Sequence, residues 1–111
     1  MFLCGVCVVS AGNVSLRTSD AANTSSYTGS TNWNPTGAPS PGNAYFTGPF
    51  TIRTTNVTTT GLTFIFAGDS LSIDSGGRLL GKIGNNAANN TAVGTIQVAN
   101  LILNGGTLDQ A

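Results

Sequence analysis

Four aspartates, Asp20, Asp69, Asp74 and Asp109, are the only side-chain carboxylates of this 111-residue chain. Hydrolysis of a glycosidic bond needs two carboxylates flanking it, one of them with a raised pKa. Asp69 and Asp74 lie five positions apart across a turn and could approach one another. A polysaccharide lyase would need a basic residue to abstract a proton and carboxylates to hold calcium. Arg78 or Lys82 beside Asp74 are the candidates for that chemistry. Asp is, however, the ordinary residue after Gly at a tight corner. The chain has no His, which removes Ser-His-Asp and Cys-His nucleophiles. Cys4 and Cys7 form a Cys-x-x-Cys pair, but zinc needs four ligands, and neither His nor further Cys exists to complete them. Gly76-Gly77 and Gly105-Gly106 open no helix, so they do not make a phosphate cradle. The reading is a protein without catalytic residues, metal or cofactor, and therefore not an enzyme.

Composition says what can position any residue. Charged residues make up 7% of the chain, against roughly 25% in ordinary soluble domains. Polarity comes instead from Thr, Asn, Ser and Gly. Zero net charge with 40% apolar residues is not the high-charge, low-hydrophobicity signature of disorder. Thr, Val and Ile favour a pleated surface, while Gly and Asn supply turns. The runs of Ala, Leu, Glu, Lys or Arg that build long helices are missing. The expected class is all-β. Arg17, Arg53, Arg78 and Lys82 are scattered in sequence, which excludes a nucleic-acid footprint built on phosphate neutralisation.

Along the chain, residues 1–11 (MFLCGVCVVSA) form a short apolar run ending in small residues, read as a truncated signal peptide without its basic start. Residues 12–49 read as an irregular Ser/Thr/Asn/Pro-rich cap and loop. Within them, Asn32–Asn43 carries the only Trp and three of the four prolines, so it cannot lie inside a central strand. Trp33 is expected to pin this loop, its N–H bonded to a nearby Asn or loop carbonyl. With Tyr45 it could also form a platform for stacking on carbohydrate. From Phe50 onward the chain alternates, with Leu62, Phe64 and Phe66 on one face and Thr63 and Ile65 on the other. Gly84–Asn90 reads as a loop. Four Asn-x-Ser/Thr acceptors, at Asn13, Asn23, Asn56 and Asn89, are what an Asn- and Thr-rich sequence produces by chance.

One pattern occurs twice: Thr63–Ser72 (TFIFAGDSLS) and Asn100–Asp109 (NLILNGGTLD), 37 positions apart. A strand, a glycine corner and a second short strand, repeated in the same polarity, predict a coil stacked on itself. Direct stacking of the two copies would place Phe64 by Leu101, Phe66 by Leu103 and Leu71 by Leu108. Ile65 and Ile102 would then stack on one another, or be covered by the Trp33 loop or by another polypeptide. Asp69 has Gly106 as its counterpart in the second copy, which fits a turn position rather than a catalytic one. Residues 50–111 are therefore expected to be solenoid rungs, incomplete at the C-terminus.

The Trp-Asn-Pro-x-Gly-x-Pro-x-x-Gly-Asn loop (Trp33–Asn43), Phe66–Leu71 (FAGDSL) and Leu101–Leu108 (LILNGGTL) resemble bacterial autotransporter-associated β-strand repeat proteins. The resemblance spans about Trp33 to Asp109. It implies a right-handed parallel β-helix (solenoid) with an irregular N-terminal cap, exported to the cell surface, the outer membrane or the extracellular space. The chain would be an N-terminal fragment, with further rungs of the same polypeptide beyond Ala111. The expected function is a passenger scaffold or adhesin-like segment, its outward Thr, Asn and Ser rows touching extracellular glycans or matrix. Two alternatives are a fragment of a parallel β-helix lyase or hydrolase, and a carbohydrate-binding β-sandwich using Trp33 and Tyr45.

Overall fold

The computed structural model of the chain describes residues 12–55, 61–82 and 94–110. The expected signal peptide with Cys4 and Cys7, the loop over 84–90, and the acceptors Asn56 and Asn89 lie outside the described residues. Ten strands and no helix are present among them: β1 (Gly12–Leu16), β2 (Trp33–Asn34), β3 (Asn43–Phe46), β4 (Thr51–Arg53), β5 (Leu62–Phe66), β6 (Ser70–Asp74), β7 (Arg78–Gly81), β8 (Gly94–Val98), β9 (Leu101–Asn104) and β10 (Thr107–Gln110). The chain is all-β, as its β-branched and turn-forming composition requires.

The strands form three sheets, ordered β2-β1-β3-β6-β9, β4-β7-β10 and β5-β8. From β3 onward the chain visits them in a fixed rotation, and every strand-to-strand pairing between successive passes is parallel. Like side chains meet in register. Val14, Tyr45, Leu71 and Leu101 form one column, and Ile52, Leu79 and Leu108 form a second. Phe64 and Phe66 face Ile96 and Val98 in the third sheet. These positions alternate with outward ones, so each pass lays one apolar layer on the last.

The layers fill from one side. Exposure along the first column runs from 2% at Tyr45 and 0% at Leu71 to 40% at Leu101. Along the second it runs from 0% at Ile52 and 5% at Leu79 to 52% at Leu108. A fully buried side chain of this kind contributes roughly 1.5–3 kcal/mol, so β6 and β7 are anchored far more strongly than β9 and β10.

The N-terminal segment closes the other side. Tyr27 packs on Phe66 at 5.4 Å between ring centroids, and Trp33 meets Tyr45 edge-on at 4.8 Å. Here the structure differs from the expectation of an irregular stretch over 12–49. Gly12–Leu16 is a strand in parallel register with β3, and β3 itself lies in the central ladder. Alternation at Val14 and Leu16, both buried, was masked by the surrounding Ser and Asn. The proline-rich part does stay out of the sheet interior. β2 is an antiparallel edge strand of two residues that stops before Pro35.

The register expected from the 37-residue repeat is corrected. Phe64 pairs with Ile96, Phe66 with Val98, Leu71 with Leu101 and Ile73 with Leu103, while Leu108 faces Leu79. The true offset from Leu71 to Leu101 is 30, one whole pass. An offset of 37 is a pass plus a step to the next sheet, because a strand–glycine–strand corner follows many strands. Ile65 accordingly faces Gln97, Ile102 faces Ser72, and both isoleucines are exposed. They neither stack on one another nor lie beneath Trp33, which is itself in the core.

Candidate functional site

Each carboxylate proposed for chemistry is bound into the backbone. Asp20 is buried, and its Oδ2 accepts the N–H groups of Ser26 and Arg53, both at 2.8 Å. Its Oδ1 accepts the Ser26 hydroxyl at 2.5 Å and the Asn32 amide at 2.8 Å. Asp69 Oδ1 accepts Gly42 N–H at 2.9 Å, and its backbone carbonyl accepts Asn100 Nδ2 at 2.8 Å. Asp74 accepts Gly48 N–H at 2.9 Å and the Ser72 hydroxyl at 2.8 Å. Asp69 and Asp74 thus bracket β6, one at each end, and tie its pass to the pass before. Their five-residue spacing spans a strand and does not bring two carboxylates onto one bond.

The basic candidates go elsewhere. Arg78 donates to Asp109 at 3.2 Å in an exposed ion pair, not to Asp74. No cluster of metal-ligating side chains occurs among the described residues. Trp33 and Tyr45 are buried, the indole N–H donating to Ser26 O at 2.7 Å and the phenol accepting from Ser40 N–H at 2.8 Å. Neither ring offers a face to solvent, so the expected carbohydrate platform is corrected to core packing. The aromatic residues sit where the first and third sheets meet the N-terminal segment, which sequence spacing does not disclose.

The part of the surface that departs from ordinary is the uncovered side of β8, β9 and β10. Each of these strands ends the order of its sheet. Ile96, Leu101, Leu103 and Leu108 are exposed there, and with Leu79 and Val98 all but Leu103 line an apolar cavity of about 320 Å³. Strand edges with bare apolar neighbours are templates for further strand pairing.

The opposite side is finished with hydrogen bonds. The edge of β4 is satisfied by the cap: Thr51 N–H donates to the Ser19 hydroxyl, Thr51 O accepts Asp20 N–H, and Arg53 O accepts the Ser25 hydroxyl. From the cap, Tyr27 Oη reaches both strands of the third sheet, 3.0 Å from Phe64 O in β5 and 2.9 Å from Gln97 O in β8. Sequence reasoning expected a capped N-terminal side and an incomplete C-terminal one, but it missed which layers touch. The signal for that register is Leu71-x-Ile73-Asp74-x-Gly76-Gly77-x-Leu79 against Leu101-x-Leu103-Asn104-Gly105-Gly106-x-Leu108, which match once Ser75 is allowed as a one-residue insertion.

No protein-family model matches the chain, and no curated protein or solved structure matches it either.

Proposed function

We propose that the chain is the capped segment of a right-handed parallel β-helix, an exported scaffold of the autotransporter-passenger kind rather than an enzyme. The observation that carries this reading is the in-register apolar columns, filled beneath the N-terminal cap and bare at β8–β10. In a stacked architecture stability is roughly a sum of layer and interface contributions, and terminal layers need covering. Further layers from the same polypeptide would seat on the bare edge and fill its cavity. The outward Thr, Asn and Ser rows would then give a long, weakly charged face suited to polar contacts with extracellular glycans or matrix.

Export is tested by treating intact cells that make the native polypeptide with proteinase K and blotting for residues 61–82. Loss of the epitope without lysis is the expected result, and protection until lysis would overturn surface exposure. The non-enzymatic reading is tested with uronate and neutral polysaccharides. Bond cleavage that disappears in Asp74→Asn while the fold persists would replace the scaffold by an enzyme.

A further inference from the structure

The cap and the ends of β4 and β7 enclose a polar pocket of about 220 Å³. Asn23, Thr24 and Ser25 of the cap line it together with Arg53, Thr54, Thr55 and Lys82. Its frame is fixed by backbone bonds. Thr54 N–H donates to Leu80 O at 3.0 Å, Lys82 N–H to Thr54 Oγ1 at 2.7 Å, and the Ser25 hydroxyl to Arg53 O at 2.6 Å.

Two of the chain's four cations therefore face one small polar space, although they are scattered in sequence. Neither the Arg53 guanidinium nor the Lys82 ammonium has a hydrogen-bond or ion-pair partner among the described residues. The carboxylates are committed elsewhere. Asp69, Asp74 and Asp109 hold Gly42, Gly48 and Arg78, and Asp20 reaches only the backbone N–H of Arg53. Neither residues 56–60 nor residues 83–93 contain Asp or Glu, so the sequence offers no other side-chain carboxylate to neutralise the pair. Thr54 Oγ1 accepts from Lys82 N–H, which leaves its own O–H free to donate.

We propose that this pocket binds a small anionic group, a carboxylate or sulfate, carried on a polar ligand no larger than one sugar ring. Two cationic residues and a hydroxyl residue line one site, the groups that charge-assisted hydrogen bonds to an oxyanion require. The volume lies below the roughly 300–1,000 Å³ of a drug-sized pocket, which limits the ligand to a single acidic unit. The site rests on its own geometry and holds whether or not the chain is exported.

The test is titration of the ¹⁵N-labelled full chain with sodium glucuronate, sodium sulfate and glucose, following the amides of Thr24, Ser25, Thr54, Thr55 and Lys82. Saturable shifts with glucuronate and none with glucose are expected. Equal binding of sulfate assigns the site to the bare anion, and weaker binding assigns a share to the sugar ring. Arg53→Gln and Lys82→Gln should each weaken binding about tenfold, the size of one charge-assisted hydrogen bond. Lys82→Arg should retain binding and so separate loss of charge from loss of fold. Raising salt through ~0.15 M, where the screening length is about 8 Å, should weaken it further. Shifts that do not saturate with either anion, that appear equally with glucose, or that survive both Gln substitutions would overturn the proposal.

Discussion

At the scale of single residues, two cap groups carry more than their numbers suggest. Asp20 is buried with four donors on its two oxygens. Its truncation strands those donors in a space closed to bulk water. Asp20→Ala should therefore cost about 3–5 kcal/mol in urea unfolding. Asp109→Ala, which removes an exposed ion pair with Arg78 and an exposed bond from Gln110 N–H, should cost at most ~1 kcal/mol. Equal losses would refute the hub role of Asp20. Tyr27 gives the pH signature. Burial pushes its hydroxyl up to about 12 from 10.0. The unfolded chain ionises first, so this contribution is intact below pH 10 and is lost as pH rises through 12. The loss should be about 2–3 kcal/mol and should be absent in Tyr27→Phe, measured as denaturation midpoints across that window.

At the scale of elements, the parallel columns predict that one substitution has different costs in different passes. Leu71 and Leu101 occupy successive positions of the same column, one buried and one at the bare edge. Leu71→Ala should destabilise by about 2–5 kcal/mol, the range for a buried leucine. Leu101→Ala should cost well under ~1.5 kcal/mol, because its side chain keeps much of its water contact. Corners behave as fixed parts. Gly76 and Gly105 hold positive φ of 80° and 84° at equivalent turns, a region that costs L-residues strain. At the next position a methyl on Gly77 would run into the Gly48 carbonyl and the Thr47 hydroxyl. Gly77→Ala should accordingly cost about 1–3 kcal/mol by overpacking.

At the scale of the molecule, the capped and bare sides make stability directional. Hydrogen exchange should show the greatest protection in β6 and β7, which are flanked by strands on both sides. Protection should be lowest in β8–β10, because each has a neighbour on one side only. Uniform protection across all three passes would contradict a layered ledger. The same layering explains why the corner carboxylates are bonded across passes. Residues that bridge passes must hydrogen-bond along the stacking direction. Carboxylates at corners, such as Asp69 and Asp74, are suited to that task and are used up by it.

Local physics determined much from the sequence alone. β-branched alternation and glycine corners gave an all-β chain with parallel passes. The prolines kept Asn34–Gly42 out of the sheet interior, and Trp33 found its carbonyl partner within the cap. The absence of His removed whole classes of nucleophile. Registry was a different matter. A corner pattern is short and recurs at many turns, so self-similarity at 37 positions identified the type of corner and not which layers touch. That was decided by packing of whole columns, with Ser75 as the inserted residue that hides the true match. Burial of Trp33 and Tyr45, and the meeting of Arg53 with Lys82, likewise needed three dimensions. They depend on segments far apart in sequence arriving at one place, and no local propensity encodes that.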